Sequence, residues 1–217
     1  MLLSKIIEEL MWGMCTSIEI FSLTLLFSIP LGLLVAAGRI SSFKPLRWLM
    51  KAYISIMRGT PLMLQLIVVF FSPYYIFGIS LSSEFRMIAV IIAFTINYAA
   101  YFAEIFRGGI ESIPKGQYEA AQVLGYSRLE TFFIVILPQV VKIVLPSITN
   151  EVITLVKDTS LSFVLAIPEM FTVAKQIAAA EASISALLIA GVFYYVFNGI
   201  VAFIMEHFEA RLDYYDT

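Results

Sequence analysis

Residues Glu119–Pro138 read EAAQVLGYSRLETFFIVILP. Ala120, Ala121, Val123 and Leu124 give a short helix one small apolar face. Gly125 follows at once, where a helix C-terminus wants a residue that tolerates positive φ. Ser127 and Glu130 then stand at the S-x-x-E spacing of a capping box, so a second helix is expected to start there. That helix runs on into a long apolar segment, which places the turn outside the lipid at the mouth of a membrane span. A small-faced helix turned sharply against its successor is a shape that docks into a partner's groove.

The flanks of this stretch set the fold class. The 217 residues are 60% hydrophobic and only 14% charged, and mean hydropathy is +0.91. Soluble domains average about half apolar and about a quarter charged, so the chain reads as an all-α integral membrane protein. Spans need ~20 apolar residues. Five are expected, roughly 13–38, 52–77, 87–106, 131–156 and 184–205, with a loop at 107–130 between the third and fourth. Pro30 and Gly32 suggest a bend in the first span. Arg58-Gly59-Thr60-Pro61 interrupts the second. Residues 157–183 read as irregular chain plus a short helix.

Orientation follows from Lys and Arg in the short loops. Arg39, Lys44, Arg47 and Lys51 lie between the first two spans, and Arg107, Lys115 and Arg128 lie around Glu119. Five spans put both groups on one side, the cytoplasm. The N-terminus is then expected outside and the C-terminus inside.

Several chemistries have no anchor. Cys15 and His207 are the single cysteine and histidine, so no disulfide or metal cluster is expected. A net charge of −2 without a basic stripe gives no reason to expect nucleic acid. There is no G-x-x-x-x-G-K-[ST] phosphate loop, and neither H-E-x-x-H nor G-x-S-x-G. No catalytic residue is expected.

The stretch from Glu119 resembles the EAA loop of permease subunits in ATP-binding-cassette importers. Glu119-Ala120-Ala121, Gly125, Leu137 and Pro138 match that pattern in register, and Val135 stands where the pattern has Ile. Three further stretches resemble the polar-amino-acid uptake branch of the family. They are Arg58-Gly59-Thr60-Pro61-Leu62 with Gln65, Asn97-Tyr98-Ala99-Ala100-Tyr101 followed by Ala103 to Ile110, and Lys157-Asp158-Thr159-Ser160-Leu161. The resemblance covers nearly the whole chain. It implies one permease domain over 1–217, a type I importer (MetI-like) fold of five transmembrane helices, and a bacterial cell (inner) membrane location. It also implies a second permease subunit, the same or different, and two ATPase subunits that bind ATP and Mg. An extracellular or periplasmic amino-acid-binding protein would deliver the solute. On this reading Glu119, Ala120, Ala121 and Gly125 couple the chain to its ATPase.

The polar residues within the spans also have a reading of their own. A charge at membrane depth is usually paired or faces water. Arg58 and Glu104 lie at similar depth, so they form a possible pair or gate beside the helix break at Gly59, Thr60 and Pro61. The alternative is that both snorkel to the headgroups. Asn97, Tyr101 and Glu104 follow i, i+4, i+7, one stripe of a helix. Asn97 and Tyr101 are expected either to meet a polar solute or, for Asn97, to clamp a neighbouring helix. Asn150 and Glu151 are further candidates. Lys157, Asp158, Thr159 and Ser160 are expected on the substrate path, Lys157 for a carboxylate and Asp158 for an amino group. Otherwise they form a solvated loop with an N-cap. A self-contained facilitator without an ATPase is the alternative function.

Overall fold

The computed structural model of the protein describes residues 3–212 and, among these, is built of helices and short connections. α1 spans Leu3–Ile40, α2 Lys44–Gly59, α3 Leu62–Phe77, α4 Phe85–Ser112 and α5 Lys115–Val123. α6 is a long rod over Arg128–Leu165. α7 spans Met170–Glu181 and α8 Ser185–Leu212. Four of these, α1, α4, α6 and α8, are long and apolar enough to cross a membrane, and the count is five if the bent pair α2–α3 is one span.

α4 is the hub. It packs against α1, α2, α3 and α6, and Val90, Phe94, Tyr98 and Phe102 on it are fully or almost fully buried. Small residues make the closest approach possible. A Cβ at Gly32 of α1 would lie 2.8 Å from Phe102 Cβ and 3.1 Å from the Ala99 carbonyl oxygen on α4. α1 is one continuous helix with Pro30 inside it, and Gly32 serves contact with α4. The polar start of the chain is also helical from Leu3.

The second span is two helices. Proline fixes its own φ and disfavours the helical region for the residue before it. Thr60 accordingly has φ −124° and ψ 147°, Pro61 has φ −62° and ψ 134°, and α3 leaves α2 at a bend of 112°.

α6 changes its winding three times. It opens at Arg128–Glu130, widens to a π-helical stretch over Thr131–Ile136, continues as an α-helix over Leu137–Asp158, and tightens to a 3-10 turn over Thr159–Leu165. Pro138 lacks an N–H and its ring would crowd the carbonyl four residues back. The wide turn just before it relieves that conflict. Lys157 and Asp158 are thus the end of a helix, where the sequence predicts an irregular segment.

A second, smaller core joins α1, α7 and α8 through Leu10, Met170, Ala174 and Ala186. Glu169 caps α7 and is fully buried. Its carboxylate accepts from the N–H groups of Phe171 at 2.7 Å and Thr172 at 2.6 Å, from Thr172 Oγ1 at 2.7 Å and from the Tyr194 hydroxyl at 3.1 Å. Burial pushes this carboxyl above the usual carboxylate range, and the hydrogen bonds from Thr172, Phe171 and Tyr194 oppose the shift.

Candidate solute cavity and coupling turn

The break between α2 and α3 would leave the last carbonyls of α2 without partners in an apolar setting. Side chains reach those of Ile56 and Met57, and that of Thr60 just beyond. Thr60 Oγ1 donates to the Ile56 carbonyl at 2.8 Å. The Gln65 amide reaches the carbonyls of Met57 at 3.0 Å and Thr60 at 3.2 Å, and Thr60 Oγ1 at 2.8 Å. From α4, Asn97 Nδ2 donates to the Met57 carbonyl at 3.1 Å and to Gln65 Oε1 at 3.0 Å. Arg58-Gly59-Thr60-Pro61-Leu62 and Gln65 therefore work as one unit, in which the proline breaks the helix and the glutamine satisfies the groups that the break releases.

Beside this break lies a cavity of about 400 Å³, bounded by Thr60–Leu62, by Asn97, Tyr98 and Tyr101 of α4, and by Glu151, Thr154, Asp158 and Leu161 of α6. Glu151 and Asp158 are seven residues apart, so they share one face of α6. Among the described residues, the cavity wall carries these two carboxylates and no Lys or Arg. On the same cavity, α3 begins at Leu62 without a side-chain cap. A helix N-terminus favours negative charge. The cavity thus has an acidic wall and a wall of positive dipole character.

The expected path residues divide. Asn97, Tyr101 and Asp158 line the cavity. Asn97 is at the same time a helix clamp, so its two readings hold together. Lys157 is exposed and is not on the cavity wall. Thr159 is buried, with Oγ1 donating back to the Val156 carbonyl at 2.8 Å, and Ser160 Oγ donates to the Lys157 carbonyl at 2.7 Å. Successive residues of a helix point about 100° apart, so a run of four cannot all face one cavity. Tyr98 and Thr154 also line it and are not among the expected path residues, although Tyr98 stands within the stretch Asn97–Tyr101 that resembles the family, whereas Glu151 is among the sequence candidates.

Arg58 and Glu104 do not form the pair that equal depth suggests. The Arg58 guanidinium carbon lies 5.2 Å from the centroid of the Tyr101 ring, a cation–π contact. Glu104 is taken by Arg107, one turn on, with Nε to Oε1 at 3.0 Å, and Arg107 also pairs with Glu111. Residues three and four apart on a helix are natural partners, and that local geometry wins over the longer reach.

At the other end of α4 and α6, α5 ends as the sequence implies. Gly125 has φ +82°. The Tyr126 N–H donates to the Ala121 carbonyl at 3.1 Å and the Gly125 N–H to the Gln122 carbonyl at 3.0 Å, the two bonds of a Schellman motif. Glu130 N donates to Ser127 Oγ at 3.3 Å while Ser127 N donates to Glu130 Oε2 at 2.8 Å, a complete capping box. Those bonds from Ser127 hold the Glu130 carboxyl below the usual carboxylate range. In this helix Ala121 is buried and Tyr118, partly buried, packs against the main core. Glu119 and Ala120 are exposed, as are Val123 (87%) and Leu124 (76%), so an apolar knob stands clear of the protein.

Residues 28–214 match the family described as binding-protein-dependent transport system inner membrane component. The chain is 36% identical over 205 residues to the L-cystine transport system permease protein TcyB of Bacillus subtilis (strain 168), covering 94% of this chain and 86% of that protein. It is 35% identical over 201 residues to the arginine transport system permease protein ArtQ of the same organism, covering 92% and 90%. Among solved structures, a chain from the crystal structure of an amino acid ABC transporter with histidines superposes with a TM-score of 0.87 at 28% identity, covering 96% of both chains.

Proposed function

The chain belongs to the family of binding-protein-dependent transport system inner membrane components, and from that membership we propose how it handles its solute. It is a permease subunit of an ATP-binding-cassette importer for polar amino acids. The relatives act on different amino acids, cystine for one and arginine for another, so the solute class must be argued from the cavity.

An amino acid is a zwitterion. Its carboxylate suits the uncapped start of α3 at Leu62, where backbone N–H groups and the helix dipole converge. Its positive end suits Glu151 and Asp158. Two acids in the cavity exceed what one ammonium group neutralises. The reading therefore favours an amino acid with a second positive charge, such as a lysine or arginine side chain. The single observation that carries this is the pair Glu151 and Asp158 on one wall, with no Lys or Arg among the described lining residues, Arg58 standing outside them on the Tyr101 ring.

Transport itself is assigned to an assembly. A second permease subunit completes the path, two ATPase subunits bind ATP and Mg²⁺, and an extracellular or periplasmic amino-acid-binding protein delivers the solute. This chain has no glycine-rich phosphate loop of its own. The Val123–Leu124 knob and the small face at Ala120 are the contact for the ATPase, and Arg58 on Tyr101 closes the cavity on the cytoplasmic side.

The test is Asp158→Asn. Import of a cationic amino acid is expected to weaken by ~1.5–3 kcal/mol in apparent binding, the range for a hydrogen bond to a charged group. Import of a neutral one should change little. Equal loss for both solutes would remove the charge-reading role from the cavity.

A further inference from the structure

We propose that Tyr98 is a positioning residue that sets the charge selectivity of this cavity by holding the Asp158 carboxylate. The proposal rests on the reading of Glu151 and Asp158 given above. Tyr98 Oη donates to Asp158 Oδ2 at 2.8 Å, joining α4 to the end of the α-helical part of α6. Both side chains line the cavity.

The phenol is not free to move. Tyr98 is 2% exposed. Its ring lies nearly parallel to Phe94, 6.3 Å away with an interplanar angle of 4°, and tilts against Tyr101 at 6.2 Å and Phe102 at 6.3 Å. Three aromatic neighbours fix where the hydroxyl points. The carboxylate needs this donor. Asp158 sits where the α-helical part of α6 passes into the 3-10 turn of Thr159–Leu165. Its backbone is set by Thr159 and Ser160, each bonding back to a carbonyl three residues earlier. Among the described residues, Tyr98 is the hydrogen-bond donor to its side chain.

A phenol has one proton to donate. With Oδ2 engaged, Oδ1 is presented to the cavity in a fixed direction. A carboxylate held in this way meets a cationic group at one place and does not turn aside for a neutral one. Released, it can rotate and take up water, and its preference for a cation falls. Phenylalanine at this position keeps the ring and its three neighbours and removes only the hydroxyl, which separates packing from positioning.

The experiment uses the permease complex with its ATPase partner, purified in nanodiscs, and measures equilibrium binding of radiolabelled L-arginine and L-glutamine. Tyr98→Phe is expected to weaken L-arginine binding about 5-fold, the worth of one ordinary hydrogen bond, and to leave L-glutamine binding unchanged. Asp158→Asn should lower the arginine-to-glutamine ratio as well, and Tyr98→Phe should add nothing on that background. Asp158→Glu, which keeps the charge but moves the carboxylate past the phenol, should lower the ratio in the same way and serves where Tyr98→Phe does not assemble. If Asp158→Asn leaves the ratio unmoved, the underlying reading of the cavity falls. If Asp158→Asn lowers the ratio while Tyr98→Phe leaves it intact, weakens both ligands equally or still acts without Asp158, the positioning role alone is overturned.

Discussion

Gly32 measures how tightly the two central helices are bound together. The Cβ of an alanine there would lie 2.8 Å from Phe102 Cβ and 3.1 Å from the Ala99 carbonyl oxygen. The second neighbour is backbone on α4 and cannot swing away, so α1 must retreat along its length. Overpacking of this kind typically costs ~1–3 kcal/mol. Gly32→Ala should therefore lower the melting temperature of the detergent-purified protein. Gly59→Ala, with nothing within 4 Å of its added carbon, should not, and an equal drop in both would remove the close-approach account. Single residues are unevenly legible in the sequence. Asn97 and Tyr101 can be found because a polar stripe in an apolar helix turns away from lipid, toward water, a solute or another helix. Tyr98 cannot, because an aromatic residue one position off the stripe reads as core. Its ring is core, and only the hydroxyl reaches Asp158. Lys157, Thr159 and Ser160 are drawn toward the cavity by their proximity to Asp158 along the chain, and helical rotation carries them elsewhere.

Local chemistry governs the elements, and two turns follow directly from it. Pro61 with Thr60 breaks the second span, and Gln65 and Asn97 absorb the carbonyls that the break releases. The position of that break is legible through Pro61, but its 112° angle depends on what α3 packs against, which no local pattern encodes. The coupling turn is the better-read element, since Gly125 and the Ser127–Glu130 box are complete within a few residues. The box also has a pH signature. Hydrogen bonds from Ser127 lower the Glu130 pKa in the folded turn relative to the unfolded chain, where it lies near ~4.3. The stabilisation is therefore fully present above that unfolded value and is lost as pH falls through the lower, folded one. Hydrogen exchange at the Ser127 and Glu130 amides, corrected for the intrinsic effect of pH, should be constant from neutral pH down to about 4.3 and accelerate below it. Ser127→Ala should abolish that dependence. An unchanged profile in Ser127→Ala would mean that the box does not hold the helix start.

At the scale of the whole molecule, the number of membrane crossings decides which segments face the cytoplasm. α1, α4, α6 and α8 each cross, and the bent pair α2–α3 either crosses once or dips in and returns. With a single crossing of α2–α3, the basic group Arg39, Lys44, Arg47 and Lys51 and the α5 region with Lys115 and Arg128 fall on the same side, as the bias of Lys and Arg toward the cytoplasm requires. With a re-entrant pair, α4 begins on the basic side and carries α5 to the opposite face, which would strand the exposed Val123–Leu124 knob away from any cytoplasmic ATPase. Five crossings also put the start of α1 and the end of α8 on opposite faces, whereas four put them on the same one. Single cysteines at the exposed positions Glu8, Gln117 and His207 distinguish the two, after Cys15, itself exposed, is replaced by serine. An impermeant thiol reagent added to intact cells should label Glu8→Cys alone, and Gln117→Cys and His207→Cys should react only in inverted membranes. Labelling of positions 8 and 207 from the same face would make α2–α3 a re-entrant loop. Arg58 on the Tyr101 ring would then close the cavity on the outer side, opposite to the side proposed above.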